Sequence, residues 1–78
     1  MSISEKIREI MAGILDINKE EIEDDSAIGD FATWDSLNHL KIISTIEKEY
    51  GIRFTPDVLM DIEDFSDIVA ATEERVKE

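Results

Sequence analysis

Apolar residues in this chain return every three or four positions, and this spacing restricts the fold more than any other feature. The first run begins at a capping-box pattern, in which Ser2 would cap a helix and Glu5 would reach back to it. The spacing predicts a helix over about residues 3–15. No segment alternates apolar and polar residues as a half-buried strand does, so we predict an all-α fold.

Start and stop signals predict a second helix from about Ser36 to Tyr50, because Gly51 can end it in the left-handed conformation. We expect this helix to bury its apolar residues on one side. Those residues are Leu37, Leu40, Ile43, Ile46 and Tyr50.

Local signals also predict a third and a fourth helix. Thr55 as N-cap and Pro56 at the first helical position predict a short third helix over about residues 56–61. Asp64 can cap a last helix, whose apolar stripe is Phe65, Ile68, Val69, Thr72 and Val76. We therefore predict a single domain over residues 1–78, a small antiparallel bundle of three main helices plus the short third helix.

A long connection, residues 16–35, separates the first two predicted helices. It has no sustained period, and structureless connections of this length are uncommon in compact domains. We expect a short helical turn around Lys19–Ile22, and apolar side chains that pin the segment as it crosses the bundle. These anchors are Ile17, Ile22, Ile28 and Phe31.

The chain is strongly acidic, with a formal net charge of −12. Residues 16–35 contain eight carboxylates and one lysine, a net of −7, and residues 52–67 contain five carboxylates and one arginine, a net of −4. Residues 36–50 are neutral. This charge argues against nucleic acid and anionic membranes as partners, since both attract basic proteins. Enzymes with basic docking surfaces are the partners it favours.

The chain has no cysteine, so any thiol chemistry has to come from a cofactor. No signal peptide or membrane span is visible, and a monomeric cytoplasmic protein is the expectation. No metal site is predicted either. An EF-hand frame that starts at Asp24 places Ile28 and Asp35 where a ligand oxygen and normally a glutamate are needed.

The tetrapeptide Trp34-Asp35-Ser36-Leu37 lies where the acidic connection meets the second helix. The first turn of a helix has unpaired N–H groups and a partial positive charge. A phosphodiester formed on Ser36 Oγ would be stabilised by those donors. The alternative is that Asp35 or Ser36 only caps the helix.

With this motif, the long connection before it and the helix closed by Gly51 after it, the chain resembles the acyl carrier protein family over nearly all of its length. The resemblance implies that Ser36 bears 4′-phosphopantetheine from coenzyme A, whose thiol holds acyl groups as thioesters. It implies that Asp35 orients the modifying phosphopantetheinyl transferase or its metal ion, and that Leu37 packs inward while offering a contact beside the arm. The implied role is that of a carrier in fatty-acid, lipid or polyketide biosynthesis, not an enzyme.

The chain differs from carriers of primary fatty-acid synthesis in two respects. Those carriers have a small residue before D-S-L and acids along the following helix, whereas here Trp34 precedes the motif and Asn38, Lys41 and Lys48 occupy positions where acids are common. We therefore expect a specialised carrier. Lys41 is a candidate partner contact, and Trp34 either packs over the loop–helix junction or contacts a partner.

If acyl groups are carried, the chain could fold back between the second and third helices. Phe54, Leu59, Ile62 and Ile46 are the candidate lining, and plain core packing explains the same residues.

Two other functions are compatible with the sequence, and a third is not supported by it. An aminoacyl or peptidyl carrier would share the fold and the serine. An unmodified acidic interaction module would use Ser36 only as part of a helix start. A nucleophile–base pair of Ser36 and His39 finds no support, because neither a third orienting group nor an oxyanion hole is identifiable.

Overall fold

A computed structural model, which describes residues 2–77, has the all-helical fold that the sequence predicts. A 3₁₀ turn, Lys19–Glu21, lies inside the long connection and confirms the helical turn expected there. Within the described residues, β structure is limited to one antiparallel bridge between Ala27 and Asp64. The four α-helices are α1 (Ile3–Leu15), α2 (Ser36–Tyr50), α3 (Pro56–Asp61) and α4 (Phe65–Lys77).

The ends of α1 and α2 follow from local chemistry. Ser2 Oγ accepts the N–H of Glu5 at 3.1 Å, which satisfies one of the unpaired donors of the first turn of α1. Both helices end at a residue in the left-handed conformation, Asp16 with φ 57° and Gly51 with φ 65°. Glycine adopts this conformation without the steric cost that a Cβ imposes, so the two helix ends differ in strain.

The starts of α3 and α4 use different devices. Thr55 occupies the N-cap of α3 as predicted, but its side chain makes no capping hydrogen bond, and Pro56 provides the helical φ. Asp64 caps α4 as predicted, since its Oδ1 accepts the N–H of Asp67 at 2.9 Å and the hydroxyl of Ser66 at 2.8 Å. Asp67 in turn accepts a backbone N–H, that of the residue before the cap.

The core forms where α1, α2 and α4 meet, and the predicted buried side of α2 is confirmed for Ile43 and Ile46 but was wrong for Leu37 and Leu40. Leu37 and Leu40 are 70% and 60% exposed. The buried residues of α2 are Ile42, Ile43 and Ile46, because packing against α1 selects that face. The core comprises Ile7, Met11, Leu15, Ile22, Trp34, Ile42, Ile43, Ile46, Phe54, Ile62, Phe65 and Ile68.

The long connection is anchored by buried side chains, although not all of the predicted ones. Ile22 is buried, and Ile17 and Phe31 pack half-buried against the core. Ile28 is 42% exposed and is not an anchor. Trp34, with 1% exposure, is the largest buried side chain of the segment.

Hydrogen bonds attach the connection to α4 and to α1. The N–H of Phe65 donates to Ser26 O at 2.8 Å, and the N–H of Ser66 donates to Asp24 O at 3.0 Å, so the start of α4 pairs with the middle of the connection. At its far end, Thr33 Oγ1 donates to Leu15 O at 2.6 Å. The irregular backbone is therefore fixed by specific partners.

Arg8 of α1 contacts both the long connection and α4. Its Nε donates to Ile22 O at 3.1 Å, and Nη2 lies 3.7 Å from Asp24 Oδ1. Its guanidinium also lies over the ring of Phe65, 4.7 Å from the centroid. One side chain thus joins α1, the connection and α4.

None of the helices in the described part of the chain has both the length and the apolar run needed to cross a bilayer.

Candidate functional site

The predicted site lies at the start of α2, where Asp35 is the N-cap. Its Oδ1 accepts the N–H of Asn38 at 2.8 Å, and its carbonyl accepts the N–H of His39 at 2.8 Å. Ser36 is therefore the first helical residue, and it is exposed. Within residues 2–77 its hydroxyl has no hydrogen-bond partner, so capping does not occupy it.

The backbone around Ser36 suits a bound anion. The N–H groups of Ser36 and Leu37 precede the first intrahelical bonds of α2, and no acceptor within the described residues pairs with them. Together with the helix dipole they favour negative charge at this end. The Asn38 side chain also braces the motif, since its Nδ2 donates to Thr33 O at 2.7 Å. An exposed hydroxyl beside free donors fits a phosphodiester-linked group.

Trp34 is a packing residue, and the interpretation of it as a partner contact was wrong. The rings of Phe31 and His39 lie nearly parallel to its indole, with interplanar angles of 17° and 26° and centroid distances of 6.4 and 6.2 Å. Its Nε1 donates to Nδ1 of His39 at 3.2 Å. At 1% exposure the ring has no free face to offer, because it fills the space between the connection and α2.

His39 lies on the buried side of α2, three, four and seven residues before Ile42, Ile43 and Ile46. That spacing was readable from the sequence, but Leu37 and Leu40 suggested a different face. Burial lowers the pKa of His39 below 6.5, so the imidazole is neutral at pH 7. Its Nδ1 accepts the indole N–H and is not free to take a proton from Ser36.

The exposed stripe of α2 begins at the residue after Ser36. We use this name for Leu37, Leu40, Lys41, Ser44 and Lys48, which share the solvent side of the helix. The expectation that Leu37 packs inward was wrong, because Leu37 points away from the side that contacts α1. Its role as a contact beside the arm stays a prediction, as does the role of Lys41.

The residues predicted to line an acyl pocket are mostly core. Ile46, Phe54 and Ile62 are buried and Leu59 is half-buried. The N–H of Phe54 donates to Glu47 Oε2 at 2.8 Å, which ties the segment before α3 to α2. A cleft of about 310 Å³ lies instead between α3 and α4, and it shares only Ile62 with the predicted lining. It is bordered by Val58, Asp61, Ile62, Asp67, Ala70, Ala71, Glu74 and Arg75.

Within residues 2–77, no group of three or more histidines and carboxylates is placed to hold a metal ion.

Comparison with known proteins places the chain among carrier proteins of known family. Residues 5–72 match the family described as "Phosphopantetheine attachment site". The chain is 38% identical over 58 residues to Polyketide-8 synthase acyl carrier protein 2 of Streptomyces avermitilis, covering 74% of this chain and 67% of the relative. It is 27% identical over 75 residues to an acyl carrier protein of Solidesulfovibrio magneticus, covering 96% of each.

The fold is also similar to a solved structure. The solution NMR structure of holo acyl carrier protein from Geobacter metallireducens superimposes with a TM-score of 0.87 at 21% identity, covering 99% of this chain and 88% of that one. At this identity the likeness concerns the arrangement of the helices. It agrees with the four helices and the long connection described above.

Proposed function

The chain belongs to the acyl carrier protein family, and from this premise we propose that Ser36 is the residue that carries its 4′-phosphopantetheine arm. One observation carries the proposal. Ser36 presents an exposed hydroxyl without a partner at the first turn of α2, while the neighbouring Asp35 does the capping. The other serines described lack this setting: Ser2 is itself the cap of α1, Ser4 is half-buried, Ser26 is buried in the connection, Ser44 lies in mid-helix and Ser66 donates to Asp64.

The proposed transfer uses coenzyme A as co-reactant. Ser36 Oγ bonds to the phosphorus of the phosphopantetheine portion, its hydroxyl proton goes to a base of the transferase, and adenosine 3′,5′-bisphosphate leaves. The residues of this chain present the oxygen. Asp35 fixes the helix start through Asn38, and the free N–H groups of Ser36 and Leu37 stabilise the phosphodiester that results.

We further propose that the chain acts as a carrier and not as an enzyme. The thiol of the arm supplies a nucleophile that a chain without cysteine lacks. The only histidine, His39, has Nδ1 engaged with Trp34 and so does not serve Ser36 as a base from that atom. The monomeric state and the cytoplasmic location expected from the sequence stay predictions.

The proposed docking surface is the exposed stripe of α2 together with the acidic segments on either side of it. Leu37 and Leu40 offer apolar area, and Lys41 and Lys48 add two positive charges in a chain of net charge −12. We propose partners that place apolar side chains and carboxylates against the stripe and basic residues against residues 16–35. Such a partner differs from one whose basic docking surface binds an acidic second helix.

This surface favours a dedicated pathway over general fatty-acid synthesis. The similarity to a polyketide synthase carrier is compatible with that proposal. The test is turnover of the acylated protein by general elongation enzymes, in the natural sequence and in Lys41→Glu/Lys48→Glu. We expect poor turnover that improves in the double variant, because it restores acids at these positions. Efficient turnover of the natural sequence would contradict the proposal.

The acyl chain, if the cargo is long, would enter the helical domain near α3. Phe54 and Ile62 flank α3 as buried residues, and Leu59 lies half-buried between them, so entry requires α3 to move. Leu59→Trp should reduce the protection of a long-chain thioester from hydrolysis. Equal hydrolysis rates for short and long chains in the natural sequence would speak against an internal site.

The central experiment is the intact mass after incubation with coenzyme A and a broad-specificity phosphopantetheinyl transferase. We expect a gain of one phosphopantetheine, no gain in Ser36→Ala, and a normal gain in Ser44→Ala, which removes another exposed hydroxyl of α2. Loss of modification in folded Ser36→Ala, but not in Ser44→Ala, supports Ser36 as the attachment site. No gain in the folded natural sequence, with a control carrier modified in parallel, would favour the unmodified interaction module.

Loading assays decide between acyl and aminoacyl cargo. Modified protein is incubated with acyl-activating and amino-acid-activating ligases, and the thioester is read by mass. We expect acyl loading, because the chain belongs to the acyl carrier protein family. Exclusive loading with amino acids would replace the acyl assignment by the aminoacyl alternative.

A further inference from the structure

The hydrogen bond between Trp34 and His39 requires one particular protonation state. An indole N–H can only donate, so Nδ1 of His39, 3.2 Å away, has to hold a lone pair. The proton of neutral imidazole is then on Nε2. An imidazolium ring carries N–H groups on both nitrogens, so protonation of His39 removes this bond.

The Trp34–His39 hydrogen bond joins the end of the connection to α2, close to Ser36 in the sequence. The carbonyl of Trp34 accepts the N–H of Gly29 at 2.9 Å, and its own N–H donates to Phe31 O at 2.9 Å. Trp34 therefore holds the end of the connection in place through its backbone, and holds it onto α2 through its ring. The residue two positions later is Ser36. A buried indole N–H left without an acceptor is unfavourable, which favours a rearrangement of this junction.

We propose that His39 is a positioning residue for the attachment reaction: neutral His39 holds Trp34 and the junction before Ser36, and protonation releases them. Presentation of Ser36 to the transferase, and of the finished arm to later enzymes, thereby depends on pH. The inference rests on the proposed role of Ser36. Nothing in it requires His39 to touch coenzyme A or the Ser36 hydroxyl.

No charged group of α1, the connection or α2 offsets the effect of burial on the pKa of His39. Asp16 follows the end of α1, Asp30 and Asp35 belong to the connection, and Lys41 follows on α2. Within residues 2–77, no carboxylate forms an ion pair with His39. Burial alone therefore lowers its pKa, and the folded protein takes up this proton only below the pH at which an exposed histidine does.

The sign of the pH effect follows from this shift. Well above pH 6.5 both folded and unfolded chains hold neutral His39, and the junction is intact. As the pH falls below 6.5 the unfolded chain binds the proton first, so stability falls until the folded pKa is passed. Trp34 is released only in the lower part of this pH range, where the folded protein itself takes up the proton.

The first test uses NMR, since the chain has one tryptophan and one histidine. We expect the indole N–H signal of the unmodified protein to move with the same midpoint, below 6.5, as the His39 ring protons. In His39→Gln the side-chain carbonyl can still accept the indole N–H but does not titrate, so the signal should stay constant. An indole signal that ignores the titration of His39 in the natural sequence would overturn the proposal.

The second test is the rate of phosphopantetheine transfer, taken as the ratio of natural sequence to His39→Gln at each pH. The ratio cancels the pH dependence of the transferase itself. We expect it to fall several-fold as the pH drops through the midpoint of the indole titration. A constant ratio would overturn the positioning role. Absence of transfer at every pH in both proteins would instead contradict the role of Ser36, while the indole titration still reports on His39.

Discussion

The long connection and the segment around α3 present opposite combinations of regularity and packing. Residues 16–35 have little regular structure, yet they bury Trp34 and Ile22 and form hydrogen bonds with α1 and α4. Residues 52–64 contain a helix, yet no residue of α3 itself is buried and Met60 is 82% exposed. Regular backbone is therefore a poor guide to how firmly a segment is held.

The difference suits the proposed function. A modified serine benefits from a fixed position, and it follows the firmly held connection. A cargo that enters the domain needs an element that moves at low cost, and α3 has few buried contacts to lose. Phe54 and Ile62, on either side of α3, are both buried.

The largest expected effect comes from breaking the connection at Trp34. Trp34→Ala should lower the free energy of unfolding by about 3–5 kcal/mol, because a large buried ring leaves a cavity. Leu59→Ala on α3 should cost only about 1 kcal/mol. Urea unfolding followed by far-UV circular dichroism measures both. If Trp34→Ala does not fold, Trp34→Phe provides a milder comparison. Equal losses in the Trp34 and Leu59 variants would remove the contrast between the two segments.

A smaller effect is expected from the side chain that joins α1, the connection and α4. Arg8→Met keeps the apolar stem but removes the hydrogen bond to Ile22 O and the contact with Phe65. We expect a loss of about 1–2 kcal/mol and faster hydrogen exchange at residues 22–26.

Lys6→Met is the matched control, since it also removes one positive charge from α1. Lys6 pairs with Glu49 at 2.9 Å on an exposed surface, and pairs of this kind contribute little and weaken with salt. Exchange at residues 22–26 should not change. If both variants accelerated it equally, net charge rather than the Arg8 contacts would hold the connection.

The C-terminal ends of α1 and α2, where the two segments begin, offer two substitutions with opposite expected effects on stability. Gly51→Ala should lower the free energy of unfolding by about 1 kcal/mol, because a residue with a Cβ is strained at φ 65°. Crowding is not the cause, since an added Cβ would meet no atom within 4 Å beyond its chain neighbours and its own helix backbone. Asp16→Gly should instead stabilise by about 0.5–1 kcal/mol, since it relieves φ 57° and removes a negative charge from a helix C-terminus. Thermal unfolding measures both, and changes of the same sign would contradict the expectation.

The smallest effect concerns the cap where the α3 segment meets α4. The N–H of Asp67 and the hydroxyl of Ser66 hold the pKa of Asp64 below 3.8. The folded pKa is below the unfolded one, so this contribution is present above pH 3.8 and is lost as the pH falls through the folded value. In Asp64→Asn the stability difference from the natural sequence should shrink over that acid range. A difference that does not vary with pH would exclude the carboxylate charge as its source.

Much of the fold could be predicted because its signals are local. Helix bounds at Ser2, Gly51, Pro56 and Asp64 follow from caps, a left-handed stop and a fixed φ, each of which involves neighbouring residues only. The position of Ser36 at the start of α2 follows in the same way. These features need no knowledge of what packs against the helix.

Tertiary structure decided which surfaces meet. Leu37 and Leu40 fit an apolar helical stripe as well as Ile42 and Ile43 do, and only packing against α1 determined that the isoleucines are buried. The bond from Trp34 to His39 and the contacts of Arg8 depend on the path of a connection that has no periodicity. The sequence alone therefore determined the helices and the serine, because short-range geometry sets them. The fold decided the exposed stripe and the support behind the serine, because burial depends on residues distant in the chain.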